Sequence, residues 1–397
     1  MIAHRLPVIF AMALLFPSYL IACDWDTETL LQERSRFPSA LEIILGKFPR
    51  HTPEYYQWRL QDRLKKLESD PNNDLMLDDV AVSLEKLKRY DEAIEVAQKQ
   101  LERNPDRYES IANLGTFYIH DGQLAEGLKY IERAIEVNPD AHFGREKYQA
   151  ILVKYVMQHA SEDGIKLPLG RQRKKNKYDE LPFVNFLLDE LIERNEFVPE
   201  RPNSRLPQEQ LQEATKGILG MMRFSRYNSP ILLEVLGEIQ QTQSANQLAY
   251  RAFLSAAQNT DDKRAKEEYK KMASDVVAFS LESLRSGKGI DVSDETIAED
   301  FRKEQKDASE WFAKLVNDEK QWIASGQAVD VKFNEKYRKP ADAIVTDRPE
   351  PEPEIYVYRD PAVGIFWRNV ILIALLVVVA LGAIGKILKK SHVARAD

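Results

Sequence analysis

A 34-residue spacing of prolines constrains the fold of this chain more than any other feature of its sequence. Pro71, Pro105 and Pro139 are each 34 residues apart, and the segments LERNPDR (101–107) and IEVNPDA (135–141) resemble each other. Between these prolines apolar residues recur at helical spacing, so each period predicts two amphipathic helices joined by a turn. Because one such hairpin cannot bury its own apolar face, we expect neighbouring hairpins to stack on each other.

This period resembles the tetratricopeptide repeat, in which small and large residues recur at fixed positions of a helix–turn–helix unit. In residues 108–141 these positions hold Ile111, Leu114, Gly115, Tyr118, Gly127, Ile131, Ala134 and Pro139. Residues 74–107 follow the same pattern, with Leu84 and Gln100 as departures. Small residues at the eighth and twentieth positions let the two helices approach closely, and the proline ends the second helix. In 108–141 the twentieth position is Gly127, where alanine is usual.

The rest of the chain also reads as helical, so the predicted fold class is all-α: a solenoid of antiparallel helix pairs, a further helical region and one C-terminal transmembrane helix. Leu236, Gly237, Ala249, Phe253 and Ala256 fit one phase of a divergent repeat. The predicted domains are a signal peptide (1–22), a repeat domain (23–159, with repeats at about 40–73, 74–107 and 108–141, the first degenerate), a basic loop (160–180), a second helical region (181–326, with the divergent repeat at 230–263), a Pro-rich linker (327–362), a transmembrane helix (363–388) and a tail (389–397).

The N-terminal end predicts export and a lipid anchor. Residues 6–16 form an apolar run after a short polar start, which is typical of a secretory signal peptide. The four residues Leu20-Ile21-Ala22-Cys23 that follow resemble the bacterial lipobox, and this resemblance implies that Cys23 is lipidated. An ordinary signal peptide or an uncleaved anchor is the alternative.

The C-terminal end predicts a membrane span. Residues 370–385 carry no charge, and a helix over 363–388 is long enough to cross the hydrocarbon core of a bilayer. Lys386, Lys389 and Lys390 follow the apolar run, so the positive-inside rule places the tail in the cytoplasm. We therefore expect a single-pass protein of the bacterial inner membrane, with its body on the periplasmic, extracytoplasmic side and its C-terminus in the cytoplasm.

Several classes of chemistry find no support in the sequence. The chain has 63 acidic and 56 basic residues, for a net charge of −7, which argues against a nucleic-acid binder. Its single cysteine, Cys23, excludes an intramolecular disulfide and cysteine-based metal clusters. No nucleotide-binding loop, HExxH or GxSxG motif occurs. We predict a protein that is not an enzyme and has no cofactor or metal; a hydrolase with an unrecognised site in 159–230 is a distant alternative.

The resemblance to tetratricopeptide repeats implies that the first helices of the repeats line a groove that binds another protein. The residues expected in this groove are Asp78, Asp79, Val82, Lys86, Glu109, Asn113, Thr116 and His120. Residues 74–140 carry 15 acidic and 8 basic residues, so a basic or neutral partner segment is weakly favoured. We predict a membrane-tethered scaffold for another envelope protein; the alternative is a structural accessory subunit of an envelope complex, assembled through its long C-terminal helices and its span.

Overall fold

The computed structural model describes residues 25–33, 35–139, 144–161, 164–170, 181–201, 204–284 and 294–339. All of them lie in the first of two units, Met1–Glu350 and Pro351–Asp397. The predicted signal peptide, Cys23, the Arg171–Lys177 part of the basic loop, most of the predicted linker and the predicted span at 363–388 lie outside the described residues. Among the described residues, no helix is long and apolar enough to cross a membrane.

The first part of the described chain forms helix pairs at the predicted repeats. Its helices are α1 (Thr27–Glu33), α2 (Ala40–Leu45), α3 (Pro53–Leu67), α4 (Asp74–Lys86), α5 (Tyr90–Arg103), α6 (Tyr108–His120), α7 (Leu124–Val137) and α8 (Arg145–His159). Repeat 74–107 is the pair α4 and α5, and repeat 108–141 is the pair α6 and α7. From α3 to α8 each helix packs on the next one along the chain.

Close packing within the α6–α7 pair explains the glycine found where alanine is usual. A Cβ atom built on Gly127 would lie 2.8 Å from the carbonyl oxygen of Gly115 and 2.5 Å from Ile119 Cγ1. Both distances are shorter than van der Waals contact, and the first involves backbone that cannot turn aside. The two helices therefore approach more closely than an alanine at this position would allow.

The second part of the described chain continues the stack. Its elements are β1 (Ala160–Ser161), β2 (Gly164–Ile165), α9 (Pro182–Glu193), α10 (Gln208–Phe224), α11 (Pro230–Thr242), α12 (Asn246–Gln258), α13 (Lys263–Leu284), α14 (Asp294–Ala324) and α15 (Val329–Tyr337). The two short strands pair antiparallel, and the rest of the described chain is helical or irregular, so the all-α prediction is confirmed. Helix α10 packs on α8 and α11, α11 packs on α12, and α12 packs on α13.

The long helix α14 does not extend the stack but returns to its beginning. It contacts α2, α3 and α15, and a cluster of Tyr55, Leu315, Trp322, Val329 and Phe333 joins it to α3 and α15. Helix α15 lies in the first part of the predicted linker, and its Val329 and Phe333 are buried in this cluster. In the predicted degenerate repeat 40–73, α3 packs on α4, whereas α2 packs on α10, α12 and α14.

Candidate peptide-binding groove

The eight residues predicted to line a groove lie on α4 and α6, and most of them are covered. Six of the eight are at most 2% exposed: Asp78, Asp79, Val82, Asn113, Thr116 and His120. Lys86 and Glu109 are half-buried. The cover comes from other parts of the same chain, chiefly residues 25–33, which we call the N-terminal segment, and the end of α10.

Asn113 holds the backbone of the N-terminal segment at Trp25. Its Oδ1 accepts a hydrogen bond from the Trp25 amide at 2.6 Å, and its Nδ2 donates to the Trp25 carbonyl oxygen at 2.8 Å. The Trp25 ring meets Tyr108 edge to face, with ring centroids 6.1 Å apart. One side-chain amide that pairs with both polar groups of one residue can hold an extended backbone whatever its side chains are.

Asp79 holds the next part of the segment. Its Oδ1 accepts from the amide of Thr27 at 3.1 Å and from the Thr27 hydroxyl at 2.7 Å. Its other oxygen, Oδ2, accepts from Arg63 Nε at 2.8 Å. Arg63 thus fixes the orientation of the Asp79 carboxylate, which accepts the two hydrogen bonds from Thr27.

Asp26 of the segment reaches a buried cation. Its Oδ2 lies 2.7 Å from Nη2 of Arg59, an arginine of α3 with no exposed surface, although this ion pair does not have hydrogen-bond geometry. Its Oδ1 accepts from the Thr29 amide at 2.7 Å and so caps the start of α1. Burial disfavours the charged carboxylate, but Arg59 and these hydrogen bonds outweigh burial and hold the pKa of Asp26 below its usual value.

Glu28 joins the segment to residues from two distant parts of the chain. Its Oε1 lies 3.1 Å from His51 Nε2, and the same oxygen pairs with Arg338 from the end of α15. His51 stacks on Tyr55 with centroids 3.6 Å apart, and its Nδ1 lies 2.6 Å from Glu319 of α14. Burial lowers the pKa of His51, although Glu319 acts in the opposite direction.

The other end of the predicted groove is covered by the end of α10. His120 Nδ1 lies 2.6 Å from Glu85 Oε1, and its Nε2 lies 3.1 Å from Ser225 Oγ. Lys86 donates to the carbonyl oxygen of Phe224 at 3.0 Å. Burial lowers the pKa of His120; for Glu85, burial acts against the charged form, but Lys86 and His120 lower its pKa well below the usual value. A cavity of about 170 Å³ remains beneath α1, with Val82, Lys86, Arg50, His51 and Arg223 in its walls.

Three more of the predicted groove residues contact side chains of the repeats or of α8. Asp78 accepts hydrogen bonds from Gln100 Nε2 at 3.0 Å and from Arg107 Nη1 at 2.8 Å, so it joins neighbouring helices. Burial raises its pKa to about 7 even beside this arginine. Glu109 lies 3.7 Å from Arg107 Nε. Thr116 makes a long contact of 3.5 Å with Gln149 Nε2.

The sequence analysis missed three arginines near the groove, because it counted charges only over residues 74–140. Arg59 and Arg63, four residues apart on α3, supply positive charge to the groove, and Arg338 supplies more. The segment they hold is acidic: residues 25–33 contain Asp26, Glu28 and Glu33 and no basic residue. The expectation of a basic or neutral partner segment stays a prediction, and the charge of residues 74–140 on which it rests leaves these arginines out.

The stacked antiparallel helix hairpins form an α-solenoid, and side chains of α4 and α6 hold Trp25 and the start of α1 of the same chain. Residues 84–152 match the model of the tetratricopeptide repeat family. This part of the chain therefore carries tetratricopeptide repeats, and the resemblance found in its sequence is confirmed. No curated protein matches the chain.

Proposed function

We propose that this protein is a membrane-tethered, extracytoplasmic scaffold that holds another envelope protein through the groove on α4 and α6, without catalysis. The observation that carries the proposal is the pairing of Asn113 and Asp79 with the main chain of Trp25 and Thr27. Side chains that bind main-chain groups of Trp25 and of Thr27, the first residue of α1, have the chemistry to bind the main chain of a partner.

The tether rests on the sequence of the two ends. Cys23 lies two residues before Trp25, so a lipid on this cysteine would hold the groove beside the bilayer surface. The uncharged run at 370–385 would provide a second attachment. Labelled fatty acid should enter the wild-type chain and not Cys23→Ala, and protease added to spheroplasts should digest the body but spare the tail. Equal labelling of both chains would remove the lipid anchor, and a protected body would remove the topology.

Partner capture tests the scaffold itself. The full chain, purified in detergent, is used to retain proteins from solubilised envelopes, with Asn113→Ala as the groove variant and Asn138→Ala, an exposed asparagine at the end of α7, as its matched control. We expect a protein that wild type and Asn138→Ala retain and Asn113→Ala loses. Retention that is equal in all three would contradict a groove-dependent scaffold.

The alternative, an accessory subunit that assembles through its C-terminal helices, makes a different prediction. One side of α14 packs on α2, α3 and α15, while Lys303 and Lys306 on this helix stay largely exposed. Capture that survives Asn113→Ala but is lost in Lys303→Glu/Lys306→Glu would favour this role. Substituting exposed residues is a cleaner test than deleting α14, because a deletion would uncover Tyr55 and the cluster around it.

A further inference from the structure

We propose that the groove selects an acidic partner segment, and that residues 25–33 occupy the groove as an internal version of that ligand. The segment it takes has an aspartate directly after the residue held by Asn113, then a hydroxyl residue, then a glutamate. This inference rests on the proposed function, since it names the class of peptide that the scaffold would bind.

The first requirement is a carboxylate at Arg59. This guanidinium is fully buried, its Nη2 lies 2.7 Å from Asp26 Oδ2, and its Nε donates to Ser83 Oγ at 2.9 Å. A buried charge that loses its counter-charge is strongly destabilising. A segment that replaces residues 25–33 must therefore bring its own carboxylate to this point, and a lysine or arginine there would be rejected.

The second requirement follows two residues later. Glu28 lies between His51 and Arg338, and Thr27 between the two acids donates its hydroxyl to Asp79 at 2.7 Å. The Trp25 ring adds an aromatic contact with Tyr108 before the first acid. The contacts together describe a recognition pattern of an aromatic residue, aspartate, serine or threonine, and glutamate.

The position of residues 25–33 in the chain would allow them to leave the groove. In the predicted mature chain, which starts at Cys23, residues 25–33 form the terminal stretch, and terminal stretches are ordered only by the contacts that tie them down. Here those contacts include the hydrogen bonds and ion pairs already described, a hydrogen bond from Arg223 Nη2 to the Gln32 carbonyl oxygen at 2.9 Å, and an ion pair of Glu33 with Arg145 at 3.8 Å. A competing segment with the same acids can form the same kinds of contact. A neutral segment cannot, because it removes the ion-pair partner of Arg59 and leaves only the more distant charge of Asp79.

The test uses a labelled synthetic peptide with the sequence of residues 25–33 and the full chain in detergent. The chain carries Trp25→Ala/Thr27→Val, which weakens the internal segment while Asp26 stays to neutralise Arg59. Fluorescence anisotropy should show at least ten-fold tighter binding to this variant than to the wild type. The peptide with Asp26→Asn should bind at least ten-fold more weakly than the unchanged peptide. Equal binding of the two peptides would overturn the inference.

Controls keep the result interpretable. Circular dichroism must match the wild type, and if the double variant does not fold, Trp25→Ala alone replaces it, because Trp25 is only half-buried. A folded variant that binds no peptide contradicts the inference. If the chain forms a dimer and the added peptide dissociates it into monomers, the groove is occupied by a second copy of the chain. This result would contradict a separate acidic partner.

The outcomes also separate this inference from the proposed function. Peptide binding with the expected aspartate dependence, but no envelope protein retained through the groove, would leave the inference standing and remove the scaffold. An envelope protein that is retained through the groove and that the peptide does not displace would keep the scaffold and remove the acidic specificity.

Discussion

Two helix pairs of this chain use the same arrangement to hold other parts of the chain, with different consequences. Glu234 and Glu238 lie on α11, the first helix of the divergent repeat 230–263, as Asp79 lies on α4, the first helix of repeat 74–107. Glu234 accepts from the amides of Leu169 and Gly170 at 3.0 and 2.9 Å and from the Tyr269 hydroxyl at 2.6 Å. Glu238 accepts from the Phe183 amide at 2.8 Å. In both regions, acidic side chains of a first helix receive backbone amides of another segment.

The difference lies in what is held. Residues 167–170 are internal, lie between α8 and α9, and pack their apolar side chains into the largest buried cluster of the described chain. They cannot leave Glu234 without opening that core. The N-terminal segment is held mainly by polar contacts of α1 and the residues before it. A carboxylate that accepts from backbone amides thus fixes a buried internal segment in one region, and under the proposed exchange it holds a replaceable segment in the other.

The largest loss of stability should come from substituting Glu234 on α11. In Glu234→Ala three buried donors lose their acceptor, and each unsatisfied donor costs about 1–3 kcal/mol, so we expect unfolding to become easier by at least about 3 kcal/mol. Denaturant unfolding of the full chain in detergent measures this. Glu234→Gln, which keeps one acceptor oxygen, should cost less, and Glu267→Ala on the exposed side of α13 should be near neutral. If Glu234→Ala left the free energy of unfolding unchanged, the contacts of Glu234 would not be what fixes residues 167–170.

The close approach of paired helices gives the next effect. In Gly127→Ala the new methyl group meets the backbone oxygen of Gly115, whereas in Gly237→Ala it meets the ring of Phe253 at 2.6 Å. Overpacking of this kind typically costs about 1–3 kcal/mol. We expect both variants to melt at lower temperature, with Gly127→Ala affected more because a backbone atom has less freedom to move. A stabilised Gly127→Ala would contradict the close approach.

Loosening the N-terminal segment should give a local effect. Asn113→Ala removes two hydrogen bonds to Trp25, worth about 1–3 kcal/mol together. Because about 1.4 kcal/mol corresponds to a ten-fold change in an opening equilibrium, limited proteolysis near residues 33–38 should become about ten-fold faster. Global unfolding should shift much less than in Glu234→Ala, and Asn138→Ala should cleave like the wild type. Unchanged cleavage in Asn113→Ala would mean that other contacts hold the segment.

Lowering the pH should have the smallest effect on the stability of the fold. His51 and His120 sit around the groove with lowered pKa values, so the unfolded chain binds their protons first as the pH falls through about 6.5. Each histidine therefore removes stability between neutral pH and its own lower folded pKa. Asp78, with a pKa raised to about 7, acts in the opposite direction between its ordinary value and 7. The thermal shift between pH 7.5 and 5.5 should thus be smaller in His51→Gln/His120→Gln than in the wild type. An equal shift would contradict buried neutral histidines.

The sequence predicts the local part of this architecture well. The phase set by Gly115, Ala134 and Pro139 places the α6–α7 pair correctly, because the contacts that form a hairpin lie within one 34-residue period. The same phase places Asn113 on the side of α6 that holds a peptide backbone. These are short-range consequences of helical periodicity, which a single sequence displays.

The occupant of the groove could not be predicted in the same way. The contact between Asn113 and Trp25 spans 88 residues, and that between Glu28 and Arg338 spans 310. No periodicity encodes such pairings. Arg59 and Arg63 lie on α3 and Arg338 follows α15, so all three lie outside residues 74–140, from whose charge the partner was predicted.

Hydrogen exchange of single backbone amides tests the central claim most directly. The amides of Trp25 and Thr27 donate to the groove, and those of Leu169 and Gly170 donate to Glu234. We predict that the first two exchange through a local opening whose free energy is well below that of global unfolding, whereas the other two exchange only when the whole fold opens. If all four amides exchange with the free energy of global unfolding, the N-terminal segment is a fixed part of the core and cannot be an exchangeable ligand.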